Sequence, residues 1–275
     1  MAQNPLQQYF RQPRIFISLP SHGIYNAPGT INGDVERIPV FGMTGMDEIL
    51  MKTPDALLSG ESTAKVINSC CPAITDPWDL CNLDADLVLT AIRIATYGNT
   101  MTVIKVCGEC QTENEYELDL NKLIDHYTTC TYDNKIVLKD LTIKIRPLNY
   151  KTSTDFALRN FQLQQQLSQL DDLKDENEKK TLLNELFQKL STLQNEIFVA
   201  GIESVDTGKV VVTEREFIAE WVANCDSEII DSIKKHIQLN QDNWTDVKHN
   251  VVCENCGATS NISVDMDQSS FFARA

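Results

Sequence analysis

The 275-residue chain is poor in positive charge: 24 Lys and Arg stand against 39 Asp and Glu, a net charge of −15. Its longest basic run is Lys-Lys. A duplex-binding protein gains affinity by neutralising phosphates with Lys and Arg, and an anionic lipid surface selects the same residues. Neither nucleic acid nor a membrane surface is therefore expected as a partner. No apolar stretch approaches the ~18 residues that a spanning helix needs. The first residues, "MAQNPLQQYFRQPR", have neither the charged start nor the apolar run of a secretory leader, so a reducing cytosol is the expected place of synthesis. Histidine is scarce, and His22, His126 and His236 have no motif partner. A nucleophile elbow, a His-Glu-x-x-His helix, a phosphate loop and a dinucleotide fingerprint are all missing. The acidic pairs Asp84/Asp86 and Asp171/Asp172 read as helix caps or solvated tips rather than as acid–base pairs. No catalytic residues are assigned, and the protein is not expected to be an enzyme.

Cysteine, by contrast, is plentiful, with nine residues. In a reducing compartment these are thiols or metal ligands rather than disulfides. Two of the stretches match: "VCGEC" at 106–110 and "VCENC" at 252–256. Each continues as strand, Cys-x-x-Cys, polar turn, strand, in "IKVCGECQTENEYELDL" and "HNVVCENCGATSNISVDM". A Cys-x-x-Cys at a hairpin bend aims two sulfurs at one ion, and tetrahedral zinc takes four. Cys107, Cys110, Cys253 and Cys256 are thus the expected metal ligands, for one zinc ion, with iron the other candidate. Four sulfurs leave no open position for water, which makes such a site structural. The competing reading is buried thiols, and His249 is a candidate substitute ligand. A usual ribbon spaces its pairs roughly 15–20 residues apart; here everything between 111 and 252 would become a closed loop. Cys70, Cys71, Cys81, Cys130 and Cys225 read as small buried hydrophobes.

Along the chain, residues 1–13 form a polar arm, and "RIFISLPS" and "VERIPVFGMT" read as short strands around a turn-rich stretch. Thr44 and Asp47 mark a helix start, "GESTAKVINSCC" a second helix, and Asp76-Pro77 a cap. "DADLVLTAIRIATYG" is a helix ending at Gly98. "NEYELDL", "KIVL" and "LTIKIRPL" read as strands. Two leucine stripes in 154–198, separated by "DDLKDENEKK", predict an antiparallel helical hairpin, its tip and outer face serving either packing or partner docking. "IESVDTGKVVVT" predicts a β-hairpin. Thr213 and Glu216 predict a capping box opening a helix with Phe217, Trp221 and Val222 turned inward. Phe271 and Phe272 either cover the protein's own hairpin or enter a neighbour. The fold class is α+β: a small antiparallel sheet with split four-cysteine, zinc-ribbon-like knuckles, an N-terminal helical region and an inserted antiparallel helical hairpin. The expected divisions are 1–100, an N-terminal arm with short strands and helices; 101–150 with 201–275, a zinc-knuckle β core; and 151–200, the inserted hairpin.

The order "LPSHGIYN", "IPVFGMTGMDEILM", "LLSGESTAKVINSCC", "DPWDLCNLDADLVLTAIRIATYG", first knuckle, helical insert, "EFIAEWV", second knuckle and "SSFF" resembles the baseplate hub and hub-assembly proteins of T-even-type contractile-tailed bacteriophages. The resemblance is strongest over 19–120 and 213–272. It implies a virion tail-baseplate protein assembled in the host cytoplasm. It also implies other baseplate and hub proteins as partners, a homo-oligomer within the symmetric baseplate as one arrangement, and no chemical catalysis. The cysteine pairs fall on the family pattern at 107/110 and 253/256. The alternative function is a zinc-ribbon module binding nucleic acid or a polymerase, against which the charge balance argues.

Overall fold

The computed structural model describes residues 5–53, 59–170, 175–264 and 271–272. The chain forms two compact units: residues 1–131 with 243–275, and residues 132–242.

The first unit opens with a 3-10 turn, Pro5–Tyr9, and an antiparallel pair, β1 (Ile15–Ile17) and β2 (Ile38–Val40). The arm is pinned by Arg11. Its guanidinium donates to the Gly42 carbonyl at 2.7 Å and to the Ser69 carbonyl and hydroxyl at 2.6 and 2.9 Å. Helix α1 (Gly45–Leu50) starts where expected, and Thr44 and Asp47 form a capping box there. α2 (Glu61–Cys70) follows, then a 3-10 turn Pro77–Asp79 capped by Asp76. α3 (Asn82–Tyr97) is the core helix, because apolar residues recur on more than one of its faces. Leu87, Val88, Ala91, Ile92 and Ala95 are all buried, as are Leu19, Ile38, Val40, Ile67 and Ile74. Gly98 ends it at φ 95°. β3 (Thr100–Val106) and β4 (Glu113–Asp119) form a hairpin. A short helix with no counterpart in the sequence reading, α4 (Asn121–Thr129), follows it and buries Leu123 and Tyr127.

The second unit is a four-stranded antiparallel sheet in the order β5 (Lys135–Leu138), β6 (Leu141–Ile145), β7 (Ile202–Asp206), β8 (Val211–Val212). Between β6 and β7 runs the helical hairpin, α5 (Tyr150–Gln169) and α6 (Glu176–Ala200). The leucine stripes meet as expected: Leu186 and Leu193 are buried, and Leu163, Leu167, Leu190 and Ile197 are half-buried. Arg159 and Glu196 bridge the two helices at 2.7 Å. Of the tip, residues 171–174 lie outside the described residues. α7 (Arg215–Asn224) begins on Glu214, without the expected Thr213–Glu216 capping box. It turns Ile218 and Val222 inward and leaves Phe217 exposed. α8 (Ser227–Thr245) closes the unit with Ile233 on the sheet, and its last residues belong with the first unit.

The chain then returns to the first unit as the hairpin β9 (Lys248–Val252) and β10 (Thr259–Ser263). The class is α+β, with small antiparallel sheets. One sheet joining mid-chain and C-terminal strands was expected. Instead the two knuckle hairpins are separate two-stranded sheets that meet through side chains.

Candidate metal centre

Each knuckle is a tight turn closed by the same pair of backbone bonds. In the first, Cys107 N–H donates to Thr112 O and Gln111 N–H to Cys107 O. In the second, Cys253 N–H donates to Ala258 O and Gly257 N–H to Cys253 O. The residue after the second cysteine is left-handed in both copies, Gln111 at φ 58° and Gly257 at φ 73°. That conformation is the natural place for Gly and is costly for a residue with a Cβ, so the repeat is one of backbone shape as well as sequence.

The hairpins face each other across a small apolar cluster, Leu118, Val251 and Ile262. Polar ties reinforce it. Lys105 Nζ donates to Asn261 O at 2.9 Å, and Asn255 Nδ2 to Thr112 Oγ1 at 3.1 Å. Buried Asn114 is the central tie: its Oδ1 accepts from Glu254 N–H at 3.1 Å and lies 3.5 Å from Cys253 Sγ, while its Nδ2 donates to Thr112 O at 2.8 Å.

This packing brings the four sulfurs within 4.8 Å of one another. Cys107 and Cys256 are 3.7 Å apart, and Cys110 and Cys253 are 3.6 Å apart. These are not bonds, since a disulfide is about 2.05 Å long, and all nine cysteines are free. A tetrahedral ion with metal–sulfur distances of about 2.3 Å has sulfur–sulfur edges of about 3.8 Å. These two pairs match that edge, so the donor set fits zinc. The thiols are already unequal. The Thr112 hydroxyl, then the Asn255 amide, hold Cys110 down at about 5. Although the Ala258 amide lowers Cys256, the neighbouring sulfurs, Cys110 first, push it up to about 12. A dication among four such sulfurs would remove that conflict.

His249 is not part of this cluster. It lies on β9 opposite Ile262, buried, with Nε2 lacking a hydrogen-bond partner among the described residues. Burial lowers its pKa, so it sits as neutral core. Cys70, Cys71 and Cys81 are buried and Cys130 and Cys225 half-buried; burial raises all five thiols. Two of the other histidines pin backbone, His126 2.8 Å from Asn243 O and His236 2.8 Å from Asp133 O, while His22 Nδ1 lies 2.6 Å from the Glu36 carboxylate.

Sequence reasoning missed the residues around the sulfurs, Asn114, Thr112 and Asn255. It also misjudged Asp84 and Asp86. Asp84 is fully buried and accepts from Ser21 N–H at 3.0 Å and Asn26 Nδ2 at 2.6 Å, and from the Ser21 hydroxyl. It holds the 21–26 turn from the first turn of α3, whose N-cap has no side-chain hydrogen bond. Asp86 accepts from Trp244 Nε1 at 2.8 Å, and Trp244 stacks on Tyr127. Phe271 and Phe272 are buried in the first unit, the Phe271 ring 5.5 Å from the Arg93 guanidinium.

No curated protein and no solved structure matches the chain. The sequence profile described as T4 bacteriophage base plate protein matches residues 44–273. That span runs from the Thr44 cap through both knuckles to the buried phenylalanines, so the chain belongs to the T4-type phage baseplate protein family.

Proposed function

We propose that this baseplate protein serves in the hub, as a structural part acting through protein–protein contacts on a body clipped by one zinc ion. Cys107, Cys110, Cys253 and Cys256 would hold the ion. Its contribution is cohesion: a structural zinc supplies on the order of 10 kcal/mol of folding free energy at neutral pH. The single observation that carries this reading is the cluster of four free sulfurs within 4.8 Å of one another, built by two knuckles far apart in sequence. The hub assignment rests on the order of motifs from "LPSHGIYN" to "SSFF". No step of this role needs catalysis. Partners are other baseplate proteins offering basic or apolar surfaces to a chain of charge −15, met during assembly in the host cytoplasm. Rigid display lowers the ordering cost of each contact. Binding of nucleic acid is disfavoured locally too, since Glu109, Glu113, Glu115, Glu117 and Glu254 surround the knuckles.

Metal analysis of the purified chain should return one zinc per molecule, and Cys253→Ser should lose it and fail to enter baseplates. Soluble Cys253→Ser protein that assembles fully without metal would refute the clip. Labelled protein located at the baseplate periphery, away from the hub, would refute the hub assignment separately.

A further inference from the structure

The second unit carries a groove of about 1040 Å³, just above the ~300–1,000 Å³ typical of small-ligand pockets. It runs between the C-terminal half of α6 and α8. Phe198 is buried within its lining, and Ile197, Ile230 and Ile237 are half-buried walls. Its charge is the unusual feature. In a protein of net charge −15, no Asp or Glu lines this groove among the described residues, while Arg146 and Lys234 both do. Lys234 is exposed, with Nζ 5.9 Å from the Phe198 ring. Glu196, the acid adjacent in sequence to this wall, is turned to Arg159. Glutamine and asparagine side chains, Gln194, Asn195 and Gln238 among them, supply further hydrogen-bonding groups.

We propose that this groove is the docking site for an acidic, apolar-anchored polypeptide segment of a neighbouring baseplate protein. Its apolar side chains would lie on Phe198 and the three isoleucines, and a carboxylate would meet Lys234. This is the helix-in-groove or extended-peptide mode of recognition, with charge setting specificity and the apolar floor giving area. The proposal rests on baseplate membership and is independent of the zinc and of the hub assignment.

The test is site-specific photo-crosslinking in full-length protein during baseplate assembly, with a benzophenone amino acid at Gln238. The expected product joins Gln238 to a segment of another baseplate protein in which Asp or Glu flank apolar residues. Lys234→Glu should reduce that product about tenfold or more, whereas Lys234→Arg should preserve it. Because Lys234 is exposed, both variants should keep the parent's circular dichroism and metal content. A cross-link to a basic segment, to another copy of this chain or to nucleic acid would overturn the proposal. So would the absence of any product in assembled baseplates, or a Lys234→Glu yield equal to the parent's.

Discussion

At the scale of single residues, close approaches and buried charge decide most. Gly42 lies against the end of α3: a Cβ there would meet the Ala95 carbonyl oxygen at 2.8 Å, whereas one at Gly45 would meet nothing within 4 Å. Gly42→Ala is therefore expected to cost about 1–3 kcal/mol and Gly45→Ala almost nothing, read as a difference in thermal midpoint. Asp86 gives a pH dependence. Burial raises its pKa from 3.8 to about 6, against the opposing Trp244 hydrogen bond. The folded state thus favours the protonated acid. Its contribution is complete below pH 3.8 and is lost as pH rises through about 6. Asp86→Asn keeps an acceptor for Trp244 and removes the charge. The variant should exceed the parent in stability by up to about 3 kcal/mol at pH 8, with the gap narrowing at pH 5.5. A gap that does not change with pH would contradict the assignment.

At the scale of elements, the α5–α6 hairpin offers a contrast one residue apart. Leu186 is 1% exposed and Phe187 56%. Leu186→Ala should cost about 2–4 kcal/mol in urea unfolding, and Phe187→Ala about 0.5 or less. This seam was legible because leucines at three- and four-residue spacing can face only one way on a helix. The knuckle strands were legible for the same local reason, their alternation being written in neighbouring residues. What was not legible depends on distance in sequence. Asp84 looks like a helix-start acid until the fold brings Ser21, 63 residues away, onto it. Asn114 looks like an ordinary strand residue until Glu254 arrives. Strand pairing is set by the same tertiary choices, so two separate hairpins could not be told from one sheet. α4 is a different kind of miss. Leu120, Leu123, Ile124 and Tyr127 have helical spacing in the sequence, but the segment is short and its other residues are polar.

At the scale of the whole molecule, the sulfur cluster belongs to one unit and the sheet of β5–β8 to the other. The second unit has its own core of Ile143, Ile145, Ile202, Ile218 and Ile233. Removing metal with a strong chelator should therefore act unevenly. Amide hydrogen exchange should accelerate in residues 100–119 and 248–263 and stay slow in 141–145 and 202–206, whose protection comes from that core. Uniform acceleration across both units would contradict a metal centre confined to the first. The wide separation of the two knuckles also bears on biosynthesis. Cys253 emerges 143 residues after Cys110. At roughly 5–20 residues per second, that is a delay of about 7–29 s. Throughout that interval the early thiols wait without their counterparts, while the whole of the intervening unit, Tyr132–Asp242, is made. Ion capture would then report that translation has passed the second knuckle, and a polypeptide abandoned before that point would leave Cys107 and Cys110 without the other half of their site.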